Sequence, residues 1–312
     1  MAELKNELRW SHSRQRNWDT CRRLYFLAHY QHWNGWRRDA PERTRTCYIL
    51  TKMMNLPMFA GDVVHRVIQR ILEDHRAGHA RSVDDWIAET RRLLNEGWKQ
   101  SRGGDWRRDP KRHVNLFEHF HGLPVTEQDI ASTRDRAVAC VERFFASEAW
   151  GAIRASDIRR WRSIEELDSL DLGEFGMWVK IDFAMEDEGG AVWLWDWKTG
   201  REEENHQDQL MAYALYAHRA WGKAPEQIRL AAAYLREGTQ TVLGVTPEDL
   251  RAAEERILSV CRAMAAACHD PVRNTASIDS FPMTDNRRTC ARCFFQSVCF
   301  ERGEWPCEQP RV

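Results

Sequence analysis

The chain has 312 residues, room for one large domain or two modest ones, with 43% hydrophobic residues to fill a core and 30% charged residues to keep it in solution. It contains no apolar run of about 18 residues and no charged-then-apolar leader, which argues against a membrane span or a secretory signal and leads us to expect a cytoplasmic protein. The formal charge of −1 hides an asymmetry: residues 1–120 hold 23 Lys/Arg against 15 Asp/Glu, whereas residues 121–312 hold 23 against 32. A basic half could track phosphates while an acidic half gathers metal-binding carboxylates; uneven sampling of solvated faces is the other reading. The nine cysteines are odd in number and too few for a disulfide scaffold of this length. In a reducing compartment, clustered cysteines are more often metal ligands.

In chain order, the first third reads as helical. Arg14–Trp33 carries aromatic and aliphatic residues at helical spacing, and Gly61 opens a stretch, Asp62–Arg76, with Val64, Val67, Ile68, Ile71 and Leu72 on one face. Helices are expected at Val83–Trp98 and Glu127–Ala149, separated by an irregular Gly103–Pro124. From Asp157 the period shortens. Strands are expected at Ile158–Ile164, Met177–Met185 and Ala191–Trp197, then a helix at Asn205–Trp221, a strand pair at Ile228–Leu235 and Thr239–Val245, and a helix at Pro247–Ala267 capped by Thr246. This order implies a single α/β domain over 1–312, a mixed sheet with helices around it, carrying a helical insertion at about residues 80–150. A cysteine-rich segment, 286–312, closes the chain.

The stretch richest in chemistry runs from Val179-Lys180-Ile181-Asp182-Phe183 through Asp187-Glu188-Gly189-Gly190 to Trp193-Leu194-Trp195-Asp196-Trp197-Lys198. Its middle is a turn by composition. A turn centred on Gly189 sets Asp182 across from Asp196, and strand alternation puts Asp196 and Lys198 on one face. Facing carboxylates repel unless a cation lies between them. Oxygen ligands in a partly open site suit Mg²⁺ or Mn²⁺, which polarise a phosphoryl oxygen and lower the pKa of an attacking water. Lys198 is then placed to orient that water or steady developing charge. A surface hairpin with an acidic polar side is the plain alternative.

Asp182 followed by Asp196-Trp197-Lys198-Thr199-Gly200 resembles motifs II and III of the RecB-like PD-(D/E)XK nucleases. Two further segments match that family's pattern. Gly61-Asp62-Val63-Val64-His65 supplies its Gly-x-x-x-His, making His65 a metal ligand by resemblance with Asp182 and Asp196. Gln209 and Tyr213 supply its Gln-x-x-x-Tyr, sharing a helical face and implied to contact substrate or support the site. A further catalytic acid often precedes the motif II strand; Glu165 and Glu166 both qualify, and Glu165 is the nearer match. The resemblance implies a restriction-endonuclease-like mixed sheet core flanked by helices.

Cys290-Ala291-Arg292-Cys293 and Cys299 offer three thiolates, and a tetrahedral site needs a fourth. Spacing alone suits zinc and iron–sulfur equally. Cys21, followed by Arg22 where the family usually has proline, resembles its N-terminal cysteine; the pattern Cys21, Cys290, Cys293, Cys299 is then that of the [4Fe–4S] staple of CRISPR-associated adaptation nucleases, AddB-type subunits and exonuclease V-type enzymes. Cys307 is a rival fourth ligand.

Arg14–Arg16, Arg22-Arg23, Arg37-Arg38 and Arg107–Arg112 interleave with Trp18, Trp33, Trp36 and Trp106, a pairing of cation and aromatic suited to single strands. The resemblance implies a metal-dependent deoxyribonuclease, an exonuclease acting on single-stranded DNA or DNA ends in processing, repair or defence. No Walker A motif is present, so translocation would come from a protein partner such as a helicase or CRISPR/defence component. The rival classes are a non-catalytic DNA-binding or assembly subunit and a zinc-stapled enzyme with another substrate.

Overall fold

The structure, a computed structural model, describes residues 5–200 and 206–300. A two-residue strand, β1 (Arg9–Trp10), leads into α1 (His12–Thr20), whose N-cap Ser11 hydroxyl accepts from the Arg14 amide. The one helix expected over Arg14–Trp33 is interrupted at Cys21, which is extended at φ −168°, before α2 (Arg22–Phe26) and a π-turn over Leu27–Gln31. The apolar spacing survives the break, so the pattern did not reveal it; leaving the helical path is what turns the Cys21 thiol toward the C-terminal cysteines. Helix α3 (Glu42–Leu50) was not anticipated, because it buries only Cys47 and Leu50 and has almost no apolar stripe. Strand β2 (Met53–Met54) follows.

Helix α4 (Leu56–Arg76) begins a turn and a half earlier than expected. The Asn55 side chain accepts from the Met58 amide and Pro57 sits in the first turn, where its missing N–H costs nothing. Gly61 therefore lies inside the helix. Helix α5 (Val83–Gly103), opened by a Ser82/Asp85 capping box, runs past Trp98 to a left-handed Gly104. The segment read as irregular contains β3 (Asn115–Leu116), paired in parallel with β2, and the single-turn α6 (Phe117–Phe120). The helix expected over Glu127–Ala149 is two: α7 (Glu127–Ala146) stops at Ser147, whose side chain caps α8 (Glu148–Ala155). Residues 80–150 thus supply α5, α6, α7 and the start of α8. Trp86, Leu93, Val141 and Phe144 of this segment share one core with Val67 and Ile71 of α4 and with Phe183, Trp195 and Trp197 from the sheet.

The sheet is mixed. Strand β4 (Trp161–Asp171) starts after a 3₁₀ turn at Ile158–Arg160 capped by Asp157, which displaces the strand expected from Ile158, and it continues beyond Ile164. Strands β5 (Gly176–Glu186) and β6 (Val192–Lys198) form the hairpin; α9 (His206–Trp221) crosses over to β7 (Ile228–Tyr234), parallel to β6, and β8 (Thr239–Gly244) completes the sheet antiparallel to β7. Asn205, the expected first residue of that crossover helix, lies outside the described residues. Strand β4 lines one edge of β5; its other edge is shared, with β1 pairing at Gly176–Met177 and β6 at Phe183–Glu186. The gap between those two partners falls beside Asp182. Val179, Ile181, Leu194 and Leu230 face the second layer, α9 with α10 (Pro247–Ala266), the latter opened by a Thr246/Asp249 capping box.

Two short helices, α11 (Arg287–Ala291) and α12 (Gln296–Cys299), close the described chain. A third cluster joins Trp18, Tyr25 and Leu27 to Phe281 and Phe295. The Arg23 guanidinium donates to the Phe281 carbonyl at 2.7 Å and its amide to the Pro282 carbonyl at 3.1 Å, so the first and last described segments are neighbours. Among the described residues no helix is long and apolar enough to cross a membrane.

Candidate metal centre and active site

Alternation along β6 turns Trp195 and Trp197 into the α4 layer and leaves Asp196 and Lys198 on the α9 side. The hairpin register, Phe183 opposite Trp195 through Glu186 opposite Val192, is centred on Gly189 as expected. At the next step, where Asp182 would face Asp196, the Asp182 side chain intervenes: its Oδ2 accepts the Trp197 amide at 2.7 Å. This fixes a carboxylate at the splitting point of the sheet.

Across the other edge of β5, the ladder steps from Ile164–Phe183 to Glu166–Ile181, and Glu165 between them adopts φ +53°. A left-handed backbone at a non-glycine is sterically costly and signals a constraint from its surroundings. The result is a Glu165 carboxylate only 4% exposed, with Oε1 3.1 Å from His65 Nδ1 and Oε2 2.5 Å from Lys180 Nζ. Glu166, the other candidate, is exposed. His65 Nδ1 also lies 3.5 Å from Asp182 Oδ2. His65, Glu165 and Asp182 each offer a ligand atom within 4.8 Å of the others, the one such group of His, Cys, Asp and Glu among the described residues.

Gly61 explains how His65 arrives there. A Cβ at Gly61 would lie 2.9 Å from the Thr199 hydroxyl, so glycine lets α4 close onto the end of β6. Asp196, expected as a third ligand, lies outside this compact group and is held by other partners. Its Oδ2 is 2.6 Å from Lys198 Nζ, though without an aligned hydrogen bond, and Tyr213 OH donates to its Oδ1 at 3.4 Å. Lys198 Nζ donates to Gln209 Oε1 at 2.9 Å, and Gln209 Nε2 donates to Tyr213 OH at 2.7 Å. The four side chains close a ring at the mouth of α9.

Electrostatics match a cation site. Burial alone would lower the His65 pKa, but Asp182, Glu165 and Asp196 outweigh it and raise it to about 9. Burial raises the Asp182 pKa, reinforced by Asp196 and Glu165 and opposed by His65. For Glu165 burial pushes upward, yet His65 and Lys180 prevail and hold it low. Burial, then the carboxylates of Asp196 and Asp182, keep the Tyr213 hydroxyl protonated and able to donate. Three buried carboxylates with one imidazole and a two-lysine margin form a donor set that a divalent cation fits.

Sequence reasoning missed two groups here. Lys180 sits two residues before Asp182 on the same strand, and its spacing was a usable signal. His12, in the first turn of α1, is brought by the fold alone into the field of Lys198, Arg16, Asp196 and Asp208; burial, then Lys198 and Arg16, lower its pKa. Conversely, part of the expected cation–aromatic grip is internal. Trp18 and Trp106 are buried in the core, and Arg14 is buried with its guanidinium on the Glu7 and Arg9 carbonyls.

Some distance along the chain from these groups, Cys21, Cys290, Cys293 and Cys299 line one small cavity with Leu24, Leu27 and Gln296. Burial raises the pKa of the Cys290 and Cys299 thiols and pushes that of Cys293 up to about 12, and in all three the neighbouring cysteines add to the shift. Such crowding favours thiolates only if positive charge sits among them. Cys307 lies outside the described residues.

A search of curated proteins gave no match. A family model, described as the PD-(D/E)XK nuclease superfamily, matches residues 9–300, which takes in β1, the whole sheet, every acidic and basic group of the site and all four converging cysteines. The mixed sheet flanked by helices is consistent with the restriction-endonuclease-like architecture, and the chain belongs to the PD-(D/E)XK nuclease superfamily.

Proposed function

We propose that the protein is a metal-dependent deoxyribonuclease of the RecB-like branch, hydrolysing phosphodiester bonds in single-stranded DNA or at DNA ends. The observation that carries this reading is the convergence of His65, Glu165 and Asp182 from three different elements beside the Asp196–Lys198 pair. His65, Asp182 and Glu165, with Asp196 adjoining, would hold Mg²⁺ or Mn²⁺. Such an ion supplies Lewis-acid polarisation of the phosphate and a more acidic attacking water.

The chain's own groups do the rest. Lys198, fixed by Gln209, positions the nucleophilic water and offsets charge building on the phosphoryl oxygens. Tyr213, kept protonated, holds the Asp196 carboxylate in its orientation. The water adds to phosphorus, the P–O3′ bond breaks, and the products are a 3′-hydroxyl and a 5′-phosphate.

The four cysteines are read as ligands of a [4Fe–4S] cluster. A mononuclear zinc site at about 2.3 Å per Zn–S bond would bring its sulfurs within roughly 4 Å of one another. Among the described residues no three cysteine sulfurs lie within 4.8 Å of one another, a spread that fits a larger cluster better than a single zinc ion. A pathway in repair or CRISPR-type defence, with a helicase or defence partner, fits the motifs.

The test uses anaerobically purified protein and end-labelled single-stranded DNA with Mn²⁺ or Mg²⁺, comparing wild type with Asp196→Ala and Lys198→Ala. Cleavage that both substitutions abolish without unfolding establishes the nuclease and its site. Absence of cleavage with every metal and DNA form would leave a non-catalytic assembly subunit.

A further inference from the structure

The α4 layer covers one face of the sheet only as far as Ile164 and Phe183. Beyond that point β4 and β5 continue as a ribbon, with Leu167 opposite Lys180 and Ser169 opposite Trp178. Cross-strand partners share a face, so Leu167, Ser169, Trp178 and Lys180 all point to the side from which α4 delivers His65. The reverse face is core: Met177, Val179 and Ile181 pack toward α9, and Asp168 accepts the Tyr216 hydroxyl. On the open face Leu167 is 66% exposed and Trp178 42% exposed, two of the largest apolar side chains left to solvent. Leu167 and Trp178 are diagonal cross-strand neighbours, so they form a small apolar patch on this face.

Three features say what would occupy this face. The Arg9 guanidinium lies over the Trp178 ring at 5.1 Å, and the Lys180 ammonium follows two residues on, so cations alternate with an aromatic face. Lys180 Nζ is also 2.5 Å from Glu165 Oε2, which makes the ribbon face continuous with the metal-binding group. Finally, Leu167 and Trp178 are separated by polar Ser169 and charged Lys180, a poor match to the dry centre of a protein interface. Aromatic faces flanked by Arg and Lys are what an unpaired nucleic-acid strand stacks on, and a duplex would not expose the base faces needed.

We propose that this ribbon face is the track on which single-stranded DNA lies as it enters the site, with Trp178 stacking on a base and Arg9 and Lys180 contacting the backbone. The inference rests on the reading of the protein as a DNA nuclease and extends it to the substrate form. Trp178 is four residues from Asp182, about 13 Å along the strand. That spans roughly two to four nucleotides, between full extension and the 3.4 Å rise of stacked bases. Substrates of two nucleotides should therefore not sense Trp178.

The experiment compares wild type with Trp178→Ala, Trp178→Phe and Leu167→Ser in two assays. One is fluorescence polarisation of 5′-labelled oligo-dT of 20 nucleotides with Ca²⁺; the other is cleavage with Mn²⁺ of oligo-dT of 2 and 20 nucleotides. Thermal denaturation and gel filtration of each variant run beside them. Trp178→Ala should weaken 20-mer binding roughly 5- to 150-fold, the range for losing one stacked base, and raise KM on the 20-mer while kcat/KM on the dinucleotide is unchanged. Trp178→Phe should restore most of the loss. Wild-type cleavage together with Trp178→Ala binding equal to wild type would overturn the track and leave the nuclease intact. Absence of wild-type cleavage with binding that still depends on Trp178 would keep the track and remove the catalytic reading. A change of oligomeric state in Trp178→Ala or Leu167→Ser, with DNA binding unaltered, would make the face a protein contact and overturn the proposal.

Discussion

At the scale of single residues the site combines charges that fold poorly together unless a cation lies among them. Burial, with Asp196 and Glu165 nearby, lifts the Asp182 pKa above the ordinary carboxylate value of 3.8, so its ionised form destabilises the metal-free fold at alkaline pH. Asp182→Asn keeps an acceptor for the Trp197 amide and removes the charge. In EDTA at pH 8 the variant should unfold at a higher temperature than wild type. In Mn²⁺ the order should reverse, because wild type gains binding free energy that the variant lacks, and cleavage should fall by a factor of a hundred or more (roughly 3 kcal/mol of transition-state stabilisation). Lower stability of Asp182→Asn in EDTA would contradict this account. His65 gives the companion prediction. Its folded pKa, raised to about 9 from 6.5, means its ion pairs stabilise the metal-free protein below about pH 6.5 and fade as pH rises toward 9. A cation needs the neutral imidazole, so Mn²⁺ affinity should rise between pH 6.5 and 9 and binding near pH 7.5 should release about one proton. Calorimetric titration in buffers of differing ionisation enthalpy reads that proton directly; a buffer-independent heat would refute it.

At the scale of elements, the β5–β6 hairpin and the helices opened by capping boxes were legible because their signals are local, whereas the second half of β4 and the Asn55-capped start of α4 were not. Capping boxes at Ser82, Thr126 and Thr246 and the Gly189-centred hairpin each specify a boundary from a few adjacent residues. What was not legible depends on contacts across the fold. The Cys21 break sets that residue in one cavity with cysteines distant in the sequence, and the left-handed Glu165 turns its carboxylate inward to His65 and Lys180. The same holds for the site: Asp182, Asp196, Lys198 and, by its spacing, Lys180 are readable from one hairpin, whereas His12 acquires a role only once α1 is in place. Gly97 shows how such packing is tested. A Cβ there would overlap the Phe59 ring and touch Val114 at 3.0 Å, so glycine allows α5 to approach α4. Gly97→Ala should destabilise by about 1–3 kcal/mol despite alanine's better helix propensity, and because α4 carries His65 it should weaken Mn²⁺ binding as well. A thermal shift near zero or upward would show that the two helices have slack.

At the scale of the molecule, segments near the start and the end of the described residues meet in one lobe. The cluster of Trp18, Tyr25, Phe281 and Phe295 would hold them weakly by itself, since ordering so long an intervening chain is what folding must overcome. A clip between Cys21 and the Cys290–Cys299 group closes a loop of about 270 residues, and the chain-entropy relation assigns such a closure roughly 4–6 kcal/mol. If the proposed cluster makes that closure, Cys21→Ser should break it while leaving the three C-terminal cysteines, and so cost a large part of this figure, a fall in Tm on the order of 10 °C. With the proposed [4Fe–4S] cluster bound, brown colour and absorption near 400 nm should be lost in Cys21→Ser and Cys293→Ser and retained in Cys307→Ser. Because α1 carries His12 beside Lys198, and β1 anchors Arg9 against the ribbon, loosening the lobe should reduce single-stranded DNA affinity without removing any group from the metal centre. Mn²⁺ affinity measured on Cys21→Ser below its Tm separates the two effects: an unchanged value with weakened DNA binding places the clip in charge of the substrate path. Loss of Mn²⁺ binding in parallel would instead show that the sheet and the cysteine lobe fold as one cooperative unit.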